Sequence, residues 1–164
     1  MMKVGVFIGS ESDFRVVEGA LAVLKEFDVP FGLEVTSAHR SPERTVRLVR
    51  SFEGGGARVF IAVAGKAAHL AGVVAAHTSL PVIAVPVASA ALSGLDALLS
   101  SVQMPKGVPV ACMGLGESGA INAALLAMQI LSLEDSSLAD KMRTYKKRMA
   151  ELVEESSRIV KEKI

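Results

Sequence analysis

Three short stretches hold the most reactive-looking residues of this 164-residue chain. The first is Gly9-Ser10-Glu11-Ser12-Asp13. A glycine followed by a helix start leaves backbone N–H groups free to bind an anion, and the Ser10 and Ser12 hydroxyls add donors. Asp13 would repel a phosphate and suits the hydroxyls of a sugar. The same residues also read as a capping box without a ligand, Ser10 being the N-cap and Asp13 the acid three positions on. The second stretch is Ser37-Ala38-His39-Arg40-Ser41-Pro42. Arg40 presents a planar fork of donors matched to phosphate or carboxylate. His39 is the acid–base candidate, since imidazole titrates near neutral pH and can give or take a proton. The plain alternative is a surface His-Arg pair ahead of a helix. The third stretch, Gly65-Lys66-Ala67-Ala68-His69-Leu70-Ala71-Gly72, has small residues that let a ligand approach the backbone. His69 falls in the first turn of an apolar helix, where packing alone would account for it, and His77 reads as structural.

Other chemistries find little support. The three histidines and Cys112 lack H-x-x-x-H or C-x-x-C spacing, so no metal is expected. No G-x-S-x-G elbow occurs. Gly114-Leu115-Gly116-Glu117-Ser118-Gly119 spells G-x-G-x-x-G. A dinucleotide site also needs a following strand that ends in an acid. Only helices are expected after it, so a tight turn is the better reading.

Strands and helices alternate around these stretches. Strands are expected at Val4–Ile8, Phe31–Val35, Arg58–Ala64, Pro81–Pro86 and Val108–Met113. Between them fall a helix bearing Val17, Leu21 and Leu24, one opened by a Ser41 cap and Pro42, one over Ala67–Thr78, and one over Gly94–Val102. Ala120–Leu131 is a further helix. Five short apolar strands alternating with helices, with continuous runs such as Val59–Val63, predict an α/β fold with a five-stranded parallel sheet covered on both faces. Ligands of such sheets bind beyond the carboxyl ends of the strands. That rule selects the loops Gly9–Asp13, Ser37–Ser41, Gly65–Leu70 and Pro86–Ser93. From Asp135 to Ile164 the chain is charged and helical, with Leu138, Met142, Tyr145, Met149 and Leu152 forming a narrow apolar stripe. This segment is expected to lie on its own domain or to reach a neighbouring subunit. Residues 1–164 thus read as one domain, with 135–164 a C-terminal helical extension.

Composition limits the partners. A net charge of +1, no Trp and one Tyr argue against nucleic acid, which needs a basic surface and stacking platforms. Hydrophobic residues make up 51%, and mean hydropathy is +0.43. Ala67–Leu95 has no Asp, Glu, Lys or Arg, yet His69, His77, Pro81 and Pro86 interrupt it, so no membrane span is expected. The apolar surplus is therefore expected inside the protein or against further copies of it. A lone cysteine and no secretory signal at Met1–Gly5 point to the cytoplasm.

Six blocks in fixed order give a resemblance. Gly9–Asp13, Ser37–Pro42, Ala67–Leu70, Ser89–Gly94, Gln103–Gly107 and Asn122–Ala127 together resemble the N5-carboxyaminoimidazole ribonucleotide mutase family of purine biosynthesis, over residues 3–150. The resemblance implies a flavodoxin-like three-layer αβα sandwich, a homo-octamer, no cofactor and no metal. It implies transfer of a carboxylate from N5 to C4 of an aminoimidazole ribonucleotide. His39 and His69 match the family's catalytic histidines, and Ser10, Asp13 and Arg40 its nucleotide-binding residues. Ser12, Ser37, Gly65, Lys66, Ala68 and Leu70 complete the expected binding set. Lys66 and Ala71 stand where the family pattern has a small residue and proline. The nearest alternative is a related enzyme that carboxylates aminoimidazole ribonucleotide directly with CO₂. A non-catalytic flavodoxin-like nucleotide-binding module is the alternative from another class.

Overall fold

The computed structural model describes residues 1–164. Its elements are β1 (Val4–Ile8), α1 (Phe14–Glu26), β2 (Phe31–Val35), α2 (Pro42–Gly54), β3 (Val59–Gly65), α3 (Leu70–Ala75), β4 (Val82–Val87), α4 (Leu95–Val102), β5 (Ala111–Cys112), α5 (Gly116–Ser132) and α6 (Ser136–Lys161). Two compact units divide the chain, Met1–Ala127 and Met128–Ile164. The first holds the whole sheet and the second is helical.

All strand pairs are parallel, in the order β2-β1-β3-β4-β5. This is the expected flavodoxin-like order, in which the chain reverses direction across the sheet between β1 and β3 and opens a crevice at their carboxyl ends. Side chains alternate across a strand, yet all five residues of β1 are buried. Both faces must therefore be covered, which is why the central strands β1, β3 and β4 are apolar and buried along most of their length. On one face Val4, Val6 and Ile8 lie in register with Val59, Ile61 and Val63. On the other, Phe7, Phe60, Ala62, Val82 and Ala84 pack with Val49 of α2 and Leu70, Ala71 and Val74 of α3. Gly5 pairs with Phe60, and a Cβ there would fall 2.6 Å from the Phe60 ring. The small residue makes room for the large one.

From β1 to α5, three elements differ from expectation by more than one residue at an end. The helix expected over Ala67–Thr78 shrinks to α3. Lys66 turns into the left-handed region at φ +56°, and the Ala68 and His69 N–H groups bond the Lys66 and Ala67 carbonyls at 2.8 Å each. These are two-residue γ-type closures rather than helical bonds, so His69 caps α3 instead of sitting in its first turn. At the other end the Thr78 hydroxyl donates to the Glu53 carboxylate and accepts from the Leu80 N–H. The strand expected over Val108–Met113 shortens to Ala111–Cys112 at the sheet edge. Pro109 has no N–H to give a ladder. The expected helix at Ala120 starts earlier, at Gly116, because Gly119 tucks against Gly114. A Cβ on Gly119 would lie 1.7 Å from the Gly114 carbonyl oxygen. The glycines thus make a tight turn, and helices follow them.

The loop between β2 and α2 is tied down at several points. The Thr36 N–H bonds the Ile8 carbonyl at 2.9 Å, and the buried Thr36 and Thr45 hydroxyls meet at 2.7 Å. Pro42 opens α2 as expected, but the Ser41 hydroxyl does not cap it. It turns back to Ser37, accepting from the N–H and donating to the carbonyl, both at 3.2 Å. Replacing Thr45 with Val should leave the Thr36 hydroxyl buried without its partner. We expect a loss of about 1–3 kcal/mol, measured by denaturant unfolding; an unchanged midpoint would show that the hydroxyl pair is dispensable.

Candidate active site

The carboxyl ends of β1 to β4 surround a cleft of ≈ 620 Å³. Its wall takes residues from the four loops that follow these strands: Gly9–Asp13, Ser37–Arg40, Ala64–Ala67 with Leu70, and Val87–Ser89.

After β1, Ser10 is extended and caps the short 3₁₀ turn Glu11–Asp13. Its Oγ accepts from the Ser12 N–H at 3.3 Å and from the Ser12 hydroxyl at 3.0 Å. The Ser10 O–H proton is left to donate toward the cleft. The Ser10 N–H in turn donates to Asp13, the return half of a capping box, while the Asp13 N–H bonds the Ser10 carbonyl at 3.1 Å. Asp13 is buried although it lines the cleft. Burial pushes its carboxyl above the ordinary aspartate value, and the Ser10 N–H pulls it partly back. The folded chain therefore holds that proton more tightly than the unfolded chain. The Asp13 contribution to stability falls as pH rises through the raised folded value. Asp13→Asn removes the charge while keeping an acceptor for Ser10. It is expected to raise the unfolding temperature at neutral pH, and the gain should shrink as the pH falls and the native carboxyl protonates. Thermal melts of both proteins from acid to neutral pH check this; a gain independent of pH would contradict it.

After β2, the Ser37 hydroxyl accepts from the Arg40 backbone N–H at 3.2 Å and from Arg40 Nε at 3.5 Å. Arg44, four residues on, is occupied by Glu34 at 2.7 Å. No carboxylate pairs with Arg40, so its guanidinium remains available to an anion. His39 Nε2 lies 2.8 Å from His69 Nδ1, with the rings edge to face at 69° and centroids 4.9 Å apart. One proton occupies the line between the two nitrogens, and one ring must act as acceptor. The pair therefore holds at most one positive charge while this bond lasts. It can pass a proton along the bond and exchange one at an outer nitrogen.

Residues 3–152 match the family model described as AIR carboxylase. The chain belongs to the AIR carboxylase family. Among its relatives, a Pyrococcus abyssi protein named N5-carboxyaminoimidazole ribonucleotide mutase is 51% identical over 149 residues, spanning 91% of this chain and 84% of the relative. A Methanocaldococcus jannaschii protein of the same name is 52% identical over 157 residues, 96% of each chain. The crystal structure of Treponema denticola PurE superimposes with a TM-score of 0.85 at 30% identity, covering 94% of this chain and 96% of that one.

Within this AIR carboxylase family chain, the cleft brings together Ser10, Ser12, Asp13, Ser37, His39, Arg40, Gly65, Lys66 and Leu70 from the expected set. Two expected residues stand outside the wall. Ala68 is 2% exposed and packs into the interior. His69 reaches the cleft through His39. The last loop contributes Val87, Ala88 and Ser89, and Ala90–Gly94 lie outside the wall. Sequence reasoning did not single out Ala38, Ala64, Val87 or Ala88. They carry no reactive group, and only their position at strand ends marks them. No three His, Cys, Asp or Glu side chains converge as metal ligands, and no helix is long and apolar enough to cross a membrane.

Proposed function

We propose that this member of the AIR carboxylase family is an isomerase of purine biosynthesis. It converts 5-carboxyamino-1-(5-phosphoribosyl)imidazole into 5-amino-1-(5-phosphoribosyl)imidazole-4-carboxylate. The observation that carries this reading is His39, backed by His69 at 2.8 Å, in the same cleft as the unpaired Arg40 and the Ser10–Asp13 turn. The names of the relatives near 50% identity support it.

The roles follow from the chemistry of the substrate. Arg40 and the Ser10 hydroxyl bind the 5′-phosphate, a dianion suited to a charge-assisted fork. Asp13 accepts from the ribose hydroxyls. His39 donates a proton to N5 as the N5–carboxyl bond breaks and CO₂ leaves. C4 then attacks that CO₂, and His39 takes the C4 proton to restore the aromatic ring. One proton is given and one recovered, so the pair ends as it began. His69 holds His39 in place and shares its proton. Holding CO₂ against C4 is a proximity problem. The small apolar residues Ala64, Gly65, Ala67 and Ala88 in the wall suit a neutral molecule.

Assembly as a homo-octamer in the cytoplasm belongs to the same proposal. Its support in the first unit is the exposed stripe of α4, where Leu95, Leu99 and Val102 recur at helical spacing with Leu92 before them. In the second unit Leu138 and Met142 are buried, while Met149, Leu152 and Val160 are exposed. This fits residues 135–164 acting as a C-terminal helical arm of a 1–164 domain that meets a neighbouring subunit. The free Cys112 fits a reducing compartment.

Separate assays of the two substrates test the activity. Rapid turnover is expected with the N5-carboxylated ribonucleotide. Turnover only with aminoimidazole ribonucleotide plus CO₂ would make the chain a direct carboxylase. Binding without turnover of either would leave a nucleotide-binding module.

A further inference from the structure

We propose that Lys66 recognises the substrate carboxylate, and so separates carboxylated imidazole ribonucleotides from the uncarboxylated one; this rests on the isomerase reading above. Three observations meet at this residue. Lys66 lines the cleft at the carboxyl end of β3. It adopts φ +56°, one of three non-glycine residues in the left-handed region, the others being Asp28 and Ser93. Short polar side chains tolerate that region through bonds to their own backbone, and lysine has no such means. Finally, its ammonium has no carboxylate partner in the fold. A glycine would hold this turn without strain. A long cation kept here at a steric cost is explained by what the cation binds.

Charge and position identify the bound group. The ligand carries a phosphate and a carboxylate. The cleft wall carries two basic side chains without a carboxylate partner, Arg40 and Lys66. Lys66 lies on the loop that also carries His69, whose ring bonds His39 at 2.8 Å. This is the proton-exchanging end of the cleft, where N5 and C4 must lie. Both the N5 carbamate and the C4 carboxylate are attached there, so the ammonium pairs with the carboxylate before and after transfer. An interaction made by both bound carboxylates acts on affinity more than on the chemical step.

Calorimetric titration of the wild type, Lys66→Met and Lys66→Gly with the 4-carboxy product and with aminoimidazole ribonucleotide tests the assignment. Both variants are expected to bind the carboxylated nucleotide about tenfold more weakly, a typical loss for a charge-assisted bond. They should bind the uncarboxylated one within about twofold of wild type. Lys66→Gly should melt no lower than wild type, because it relieves the left-handed backbone. Equal weakening of both nucleotides would place Lys66 on the shared phosphoribosyl group, and unchanged affinities would place its ammonium in solvent. Either result overturns the proposal. These are binding measurements, so they stand apart from the isomerase reading. That reading fails on its own if the wild type binds both nucleotides but does not interconvert the carboxylated isomers.

Discussion

Replacing His39 with Asn is expected to lower turnover by about 10²–10⁴-fold, the usual contribution of a positioned acid–base group, while nucleotide affinity stays within a few-fold of wild type. Asparagine nearly matches the imidazole in reach and can still accept or donate a hydrogen bond. It cannot give a proton to N5 and recover one from C4. The fold should tolerate the change, since His39 is exposed on a loop held by Ser37, Ser41 and the buried Thr36–Thr45 pair. Steady-state turnover and direct nucleotide titration separate the two effects. Near-normal turnover would remove His39 from the mechanism. A collapse of binding alongside turnover would mean that its role is to hold the nucleotide.

Arg40→Met carries the second large effect. The unpaired guanidinium stands beside Ser37, which orients it through the backbone N–H and Nε contacts. Losing a charge-assisted pair to phosphate costs about 1.5–3 kcal/mol, or roughly 10- to 150-fold in kcat/KM. The loss should fall mainly on KM, since the phosphate is bound alike throughout the reaction. Comparison with the nucleoside that lacks the 5′-phosphate makes the test specific. On that substrate the variant and the wild type should perform alike. An equal deficit on both substrates would show that Arg40 acts elsewhere in the cleft.

The sheet was readable from sequence because its signals are local. Val4–Ile8 is an apolar run and Phe31–Val35 a short segment after the Asp28–Pro30 turn, and the observed strands match them residue for residue. The cleft was also largely readable, because the strand-end rule needs only the order of elements. What escaped depends on backbone geometry or distant partners. Nothing in Gly65-Lys66-Ala67-Ala68-His69 announces that Lys66 will turn left-handed, so the helix was expected three residues too early. Ser41 looks like a cap, but its hydroxyl is taken by Ser37. Ala68 looked like a cleft residue until the γ-type turns carried it into the interior. The contact between His39 and His69 spans 30 positions of sequence, and spacing alone gives no distance between them.

The central claim is that the carboxylate moves from N5 to C4 within one bound nucleotide. It is tested most directly by supplying the N5-carboxylated ribonucleotide with ¹³C in its carboxylate, in buffer containing unlabelled bicarbonate, and following the product by NMR. The result expected is ¹³C retained in the C4 carboxylate. A C4 carboxylate carrying only unlabelled carbon, formed at a rate set by dissolved CO₂, would contradict it.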